Sequence, residues 1–131
     1  MSFVSVTRLR LRRFRHVPPF AFYTLLTLVQ ARRSKGNLTA RAIRQDGLVF
    51  WTITLWSESD AMRAFRNRGW HGRVMPKLAD WCDEATYVNW RQEDSEPPDL
   101  PHAYQRLISE GVASRVRYPS PNHLTRAFPP P

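Results

Sequence analysis

Asp46-Gly47-Leu48-Val49-Phe50-Trp51-Thr52-Ile53-Thr54-Leu55-Trp56 is a turn signal followed by the most strand-like run of the chain. Asp-Gly favours the positive backbone φ of a tight hairpin turn, and β-branched and aromatic residues favour the strand after it. Strand alternation puts Val49, Trp51, Ile53 and Leu55 on one face and Phe50, Thr52, Thr54 and Trp56 on the other. Both faces carry large apolar groups, so this strand is expected to be buried on both sides.

Working outward, Leu38 to Gln45 is the partner strand across the turn. Upstream, Phe3 to Leu11 alternates like a strand, and Phe20 to Val29 is apolar at helical spacing. Downstream, Ser57-Glu58-Ser59-Asp60 reads as a helix start, Gly69 as a break, and a second helical piece runs to Trp81 with Pro76 inside it. Ala85 to Trp90 is the last strand. The order is strand, helix, hairpin, helix, strand, the ferredoxin-like βαββαβ plan of an α+β protein. It predicts a four-stranded antiparallel sheet with helices on one face over residues 1–95, followed by a Pro-rich C-terminal tail over residues 96–131. Eight of the eleven prolines lie in 97–131, where Ala103 to Glu110 is expected to form a short helix presenting Tyr104, Leu107 and Ile108.

In the first strand, Phe3, Ser5, Thr7, Leu9 and Leu11 form the expected core face, because Val4, Val6, Arg8, Arg10 and Arg12 turn cationic halfway. The first helix is expected to bury Phe22, Leu25, Leu26 and Val29. Helices on one face leave the other face of the sheet bare. A homodimer is therefore expected to cover it.

The net charge of +9 is uneven: residues 1–46 hold ten Lys/Arg against one acid, and residues 47–131 hold ten against ten. A basic patch attracts polyanions without specificity, so Arg8, Arg10, Arg12 and Arg13 are the candidate footprint of a salt-sensitive polyanion binder. No base-reading motif accompanies them, and no specific nucleic-acid partner is expected. Cys82 is the single cysteine, which rules out an internal disulfide and fits a reducing, cytoplasmic location. The thirteen residues from Val17 to Val29 are too few for a membrane span. Walker loops, dinucleotide glycine fingerprints, metal-spaced Cys/His clusters and nucleophile elbows are absent from the sequence.

The start Met1-Ser2-Phe3-Val4-Ser5-Val6-Thr7-Arg8-Leu9, the strand Phe50 to Trp56, the following Ser57-Glu58-Ser59-Asp60-Ala61-Met62 and the segment Met75-Pro76-Lys77-Leu78 with Trp81 resemble the DUF3291 family. More distantly, the chain is similar to antibiotic-biosynthesis monooxygenases and spheroidene monooxygenase. The resemblance implies a dimeric α+β barrel, in which two sheets pack through their uncovered faces and each pocket lies between a sheet and its own helices. Some relatives bind haem through a histidine on the second helix; others oxidise polycyclic phenols without a cofactor. Carried over, Thr7 stands where haem degraders have a pocket asparagine, Phe65 near their tryptophan, and Met75 near their ligating histidine, four residues after His71. The candidate catalytic residues are therefore His71 and Thr7. His71 is the candidate metal ligand if haem binds, and Phe22, Trp51, Phe65 and Trp70 are the candidate walls for a small apolar or aromatic ligand. The function reading is a monooxygenase-like protein; the alternative is a non-catalytic homodimeric binding or scaffold protein with a basic surface.

Overall fold

The computed structural model describes the backbone of residues 1–131 and every side chain except those of residues 69–72 and Met75. Strand β1 (Ser2–Leu11) leads through a 3-10 turn (Phe14–His16) into α1 (Val17–Arg33). The hairpin β2 (Asn37–Asp46) and β3 (Val49–Trp56) follows, then α2 (Ser59–Arg66), α3 (Gly69–Trp81), β4 (Cys82–Gln92), α4 (Leu100–Glu110) and the short β5 (Val112–Ala113). The sheet runs β2-β3-β1-β4-β5 with every pairing antiparallel. It has five strands rather than the expected four, because the chain returns after α4 and pairs Val112 and Ala113 with Tyr87 and Thr86.

Local chemistry sets the joints. Prolines sit in the first turn of α1, where a missing N–H is harmless. Gly36 follows α1 with φ 87°, and a Cβ there would lie 2.7 Å from Ala61 Cβ, so the position takes only glycine without movement. Gly47 makes the hairpin turn with φ 47°. The Ser-rich start of α2 does not supply a side-chain cap: Glu58 is the N-cap and bonds no backbone N–H through its side chain.

α1, α2 and α3 cover one face of the sheet; α4 and the C-terminal segment cover the other. Val4, Val6, Val49, Trp51, Ile53, Leu55, Val88 and Trp90 are buried against Ala103 and Leu107 of α4 and against Phe128. The face expected to be bare is thus closed by the chain itself. The cationic half of that face is closed with it. Arg8 is 1% exposed and donates to Glu84 Oε1 at 2.7 Å, with its guanidinium 4.1 Å above the Phe128 ring. Arg10 pairs with Asp83 at 2.7 Å. Arg12 donates to the Asp80 carbonyl and lies over the Tyr118 ring. Three of the four arginines proposed as a polyanion footprint therefore already have partners. The carboxylates of Glu84 and Asp83 answer Arg8 and Arg10, and that of Asp80 pairs with Arg117.

The expected buried stripe of α1 is also displaced. Phe22 is 58% exposed and Leu25 61% exposed, with Val29 exposed as well. The inner stripe is Phe20, Thr24, Thr27, Leu28 and Ala31, all of which face the sheet. Two stripes on one helix share the 3.6-residue period, and choosing the more apolar one picked the outer.

Candidate functional site

The helix side and the tail side of the sheet are packed differently. Between the sheet and α1–α3 lies a cavity of about 690 Å³. Its floor is the helix-facing row of three strands. β1 contributes Ser5 and Thr7, β3 contributes Thr52 and Thr54, and β4 contributes Tyr87 and Asn89. The register arranges these as two cross-strand rows, Thr54–Ser5–Asn89 and Thr52–Thr7–Tyr87. Neighbouring strands lie about 4.8 Å apart, so each row is a short ladder of polar groups. The roof is mostly apolar: Phe20, Leu28 and Ala31 from α1, Met62 and Phe65 from α2, and Val74, Leu78 and Ala79 from α3.

Alternation explains the floor. Odd-numbered residues of β1 and even-numbered residues of β3 share the helix side, and those positions carry Ser and Thr in mid-strand with Leu9, Phe50 and Trp56 only toward the ends. Thr54 Oγ1 accepts from Trp56 Nε1 at 2.9 Å. Ser5, Thr7, Thr52, Tyr87 and Asn89 make no side-chain hydrogen bond among the described residues, and Asn89 Oδ1 is shielded from solvent without a donor. Polar groups taken out of water normally find partners. On this floor Asn89 Oδ1 is such an atom, while the side chains of Ser5, Thr7, Thr52 and Tyr87 are half-exposed and free to meet a ligand.

Of the sequence candidates, Thr7 and Phe65 line this cavity, from floor and roof. Trp51 does not. It is fully buried on the opposite face, its indole donating to Gln45 Oε1 at 2.7 Å, because an odd-numbered β3 residue must point toward α4. Phe22 does not either; it sits on the outer stripe of α1. The side chains of His71 and Trp70 lie outside the described residues. Ser5, Thr52, Tyr87 and Asn89 were not singled out from sequence. The available signal was a run of Ser and Thr facing inward beside aromatic residues.

Haem needs an axial donor, most often imidazole or thiolate. The described lining has neither. Its phenol, Tyr87, is on the floor and its thioether, Met62, on the roof. The side chain of His71, the candidate ligand, lies outside the described residues, and no group of three or more His, Cys, Asp or Glu that could hold a metal occurs among the described residues. Cys82 is no nucleophile: burial, then the neighbouring Asp83 charge, pushes its thiol up to about 12. No helix among the described residues is long and apolar enough to cross a membrane.

A smaller cavity, about 520 Å³, opens on the tail side between Arg8, Arg10, Glu84, the hairpin turn and Ser120–Asn122. Arg8 pairs there with Glu84, and Arg10 with Asp83 and Glu84. Burial works against the ionised Glu84, but the Ser120 hydroxyl at 2.6 Å and Arg8 outweigh it and hold the carboxyl below its ordinary range. Asp83 is shifted up, chiefly by burial, against the pull of Arg10.

An α+β sandwich of this topology, with a cavity between sheet and helices, is the fold of antibiotic-biosynthesis-monooxygenase-like proteins. Solved structures bear this out at the level of fold. "Putative antibiotic biosynthesis monooxygenase from Nitrosomonas europaea" superimposes with TM-score 0.64 at 16% identity, over 70% of this chain and 89% of that one. Rv0793 from Mycobacterium tuberculosis gives 0.65 at 9% identity, over 72% and 97%. SnoaB, a cofactor-independent oxygenase from Streptomyces nogalater, gives 0.58 at 15% identity, over 74% and 98%. Within that fold the chain belongs to the DUF3291 family, a domain of unknown function, whose profile matches residues 27–112. No curated protein matches the chain.

Proposed function

We propose that this protein binds a flat, largely apolar small molecule in the helix-side cavity and acts on it as a cofactor-independent monooxygenase. The observation that carries the reading is the cavity itself: about 690 Å³, apolar above, and floored by uncommitted hydroxyl and amide groups. Small-molecule sites are typically concave and mostly apolar, with a few polar groups that fix orientation. In this reading Thr7, Thr52 and Tyr87 hold an oxygen-bearing edge of the substrate, while Phe20 and Phe65 pack on its ring faces. The likeness to SnoaB, itself described as a cofactor-independent oxygenase, supports the choice of chemistry. No step is routed through haem.

The homodimer expected from the sequence is not required. The sheet face it was invoked to cover is occupied by α4 and Phe128, and a dimer through that face needs the C-terminal segment to move aside. The scaffold alternative, built on a free basic patch, is weakened by the pairing of Arg8, Arg10 and Arg12.

The test is oxygen uptake by the purified protein with anthrone, which tautomerises to a polycyclic phenol. The expected result is protein-dependent uptake and an oxygenated product, both lost when Thr52→Trp fills the cavity. Binding of the probe without any uptake would leave a binding protein; uptake unaffected by Thr52→Trp would move the chemistry elsewhere.

A further inference from the structure

The helix-side cavity has a charge of one sign. Arg66, near the end of α2, and Arg115, just after β5, line it, and no carboxylate or lysine does so among the described residues. Every other described lining group is neutral. Arg115 is exposed and forms no ion pair among the described residues, unlike Arg117 two positions on, which pairs with Asp80 at 3.1 Å.

The backbone fixes where Arg115 stands relative to the polar floor. Ser114 N donates to the Ala85 carbonyl, so Arg115 emerges beside the start of β4, while Tyr87 and Asn89 lie further along the same strand. Four residues from Ala85 to Asn89 span roughly 13 Å at strand rise. A ligand can therefore present a charged end to Arg115 at the mouth while an oxygen at its other end reaches the row of Asn89 and Ser5. The arrangement suits an anion energetically. Taking a carboxylate fully out of water is costly, but at the rim it stays partly hydrated while the apolar body enters the cavity.

Resting on the reading of this cavity as the substrate site, we infer that its substrate class is the aromatic or polycyclic carboxylic acid, with the carboxylate held at Arg115 and the ring system between roof and floor. The discriminating group is Arg115, a specificity residue that touches the substrate away from the reacting carbon. Electrostatic contacts at a rim are screened by salt, so the preference for the acid has a salt dependence that a purely apolar fit lacks.

The experiment compares three probes of one scaffold, naphthoate, naphthalene carboxamide and naphthol, by calorimetric titration at low and at raised salt. It uses the full chain and its Arg115→Gln, Arg117→Gln and Thr52→Trp variants. The expected result is naphthoate binding about five-fold more tightly than the carboxamide at low salt, the upper end for a rim ion pair worth up to about 1 kcal/mol. Raised salt and Arg115→Gln should each reduce that preference to about two-fold or less, and Arg117→Gln should keep it. Arg115 and Arg117 are both exposed, so neither change threatens folding. Carboxamide or naphthol binding as tightly as naphthoate would overturn the acid while leaving the cavity as the ligand site. Naphthoate binding that survives Thr52→Trp in a folded variant places the acid on the outer surface and overturns the inference. Failure of all three probes to bind tells against both the inference and the site reading beneath it.

Discussion

The two faces of one sheet are made from the same strands by opposite choices. Toward α4, alternate positions carry Val4, Val6, Trp51, Ile53, Leu55, Val88 and Trp90, all buried and closed by Leu107 and Phe128. Toward α1–α3, the intervening positions carry Ser5, Thr7, Thr52, Thr54, Tyr87 and Asn89 around a void. Dense apolar packing stabilises a fold, and a cavity edged by unpaired polar groups costs stability. The chain has separated the two tasks by strand parity: one face holds the domain together, which leaves the other free to be imperfect.

That division can be broken from the stable side first. Truncation after Glu93 removes α4, β5 and Phe128 and strips the dry face of its cover. It should abolish the cooperative thermal transition or drive the exposed sheets together, which calorimetry and light scattering will show. An unchanged melting temperature would mean the tail side contributes nothing and the comparison is mistaken. Glu84→Ala comes next. It leaves Arg8 buried without its carboxylate and should cost about 3–5 kcal/mol in urea unfolding. Leu107→Ala, at a fully buried site, should cost about 2–5 kcal/mol, whereas Leu28→Ala beside the cavity should cost clearly less, because its side chain already borders empty space. At the small end, Thr52→Val should change stability by no more than about 0.5 kcal/mol, yet weaken binding of an oxygen-bearing probe.

Acid sharpens the same contrast. Glu84 has a lowered folded pKa, so its stabilisation is complete above its unfolded value and is lost as pH falls through the folded one. Asp83 is raised and runs the other way: protonating it in the folded state regains stability between its raised and ordinary values. The loss from Glu84 therefore shows at the lower pH, below the ordinary carboxylate range. Glu84→Gln should give a lower melting temperature at neutral pH and a flatter acid limb; an acid limb as steep as that of the parent would assign acid sensitivity to other groups.

The segment order was readable because hairpin chemistry and strand alternation are local: Asp46-Gly47 and the β3 run suffice to place the hairpin. What the local pattern could not give was which side of an element faces in. Phe22 and Leu25 look like core and lie outside, because the inner face of α1 borders a cavity where Thr24 and Thr27 are tolerated. Arg8 looks like surface and is buried, because its partner Glu84 lies 76 positions away. Trp51 has the aromatic character of a pocket wall, but strand parity separates it from Thr52 and Thr54. The fifth strand was missed for a different reason: two residues, Val112 and Ala113, carry no periodicity to read. The floor of the site was legible in principle, as polar residues recurring at alternate positions of two strands expected to be buried.

The position of β1 has a consequence for how the molecule is made. β1 is the middle strand, paired with β3 on one side and β4 on the other, and its dry face is completed by Phe128. β1 thus leaves the ribosome before the strands that enclose it. Val4 and Val6 must wait for β3, then for β4, then for a residue near the far end of the chain. Long-range pairing of this kind is slow and leaves sticky intermediates exposed. Synthesis in vitro, with the nascent chain stalled at successive lengths, should therefore show protease resistance arriving late and in one step, after α4 and the Phe128 segment have emerged.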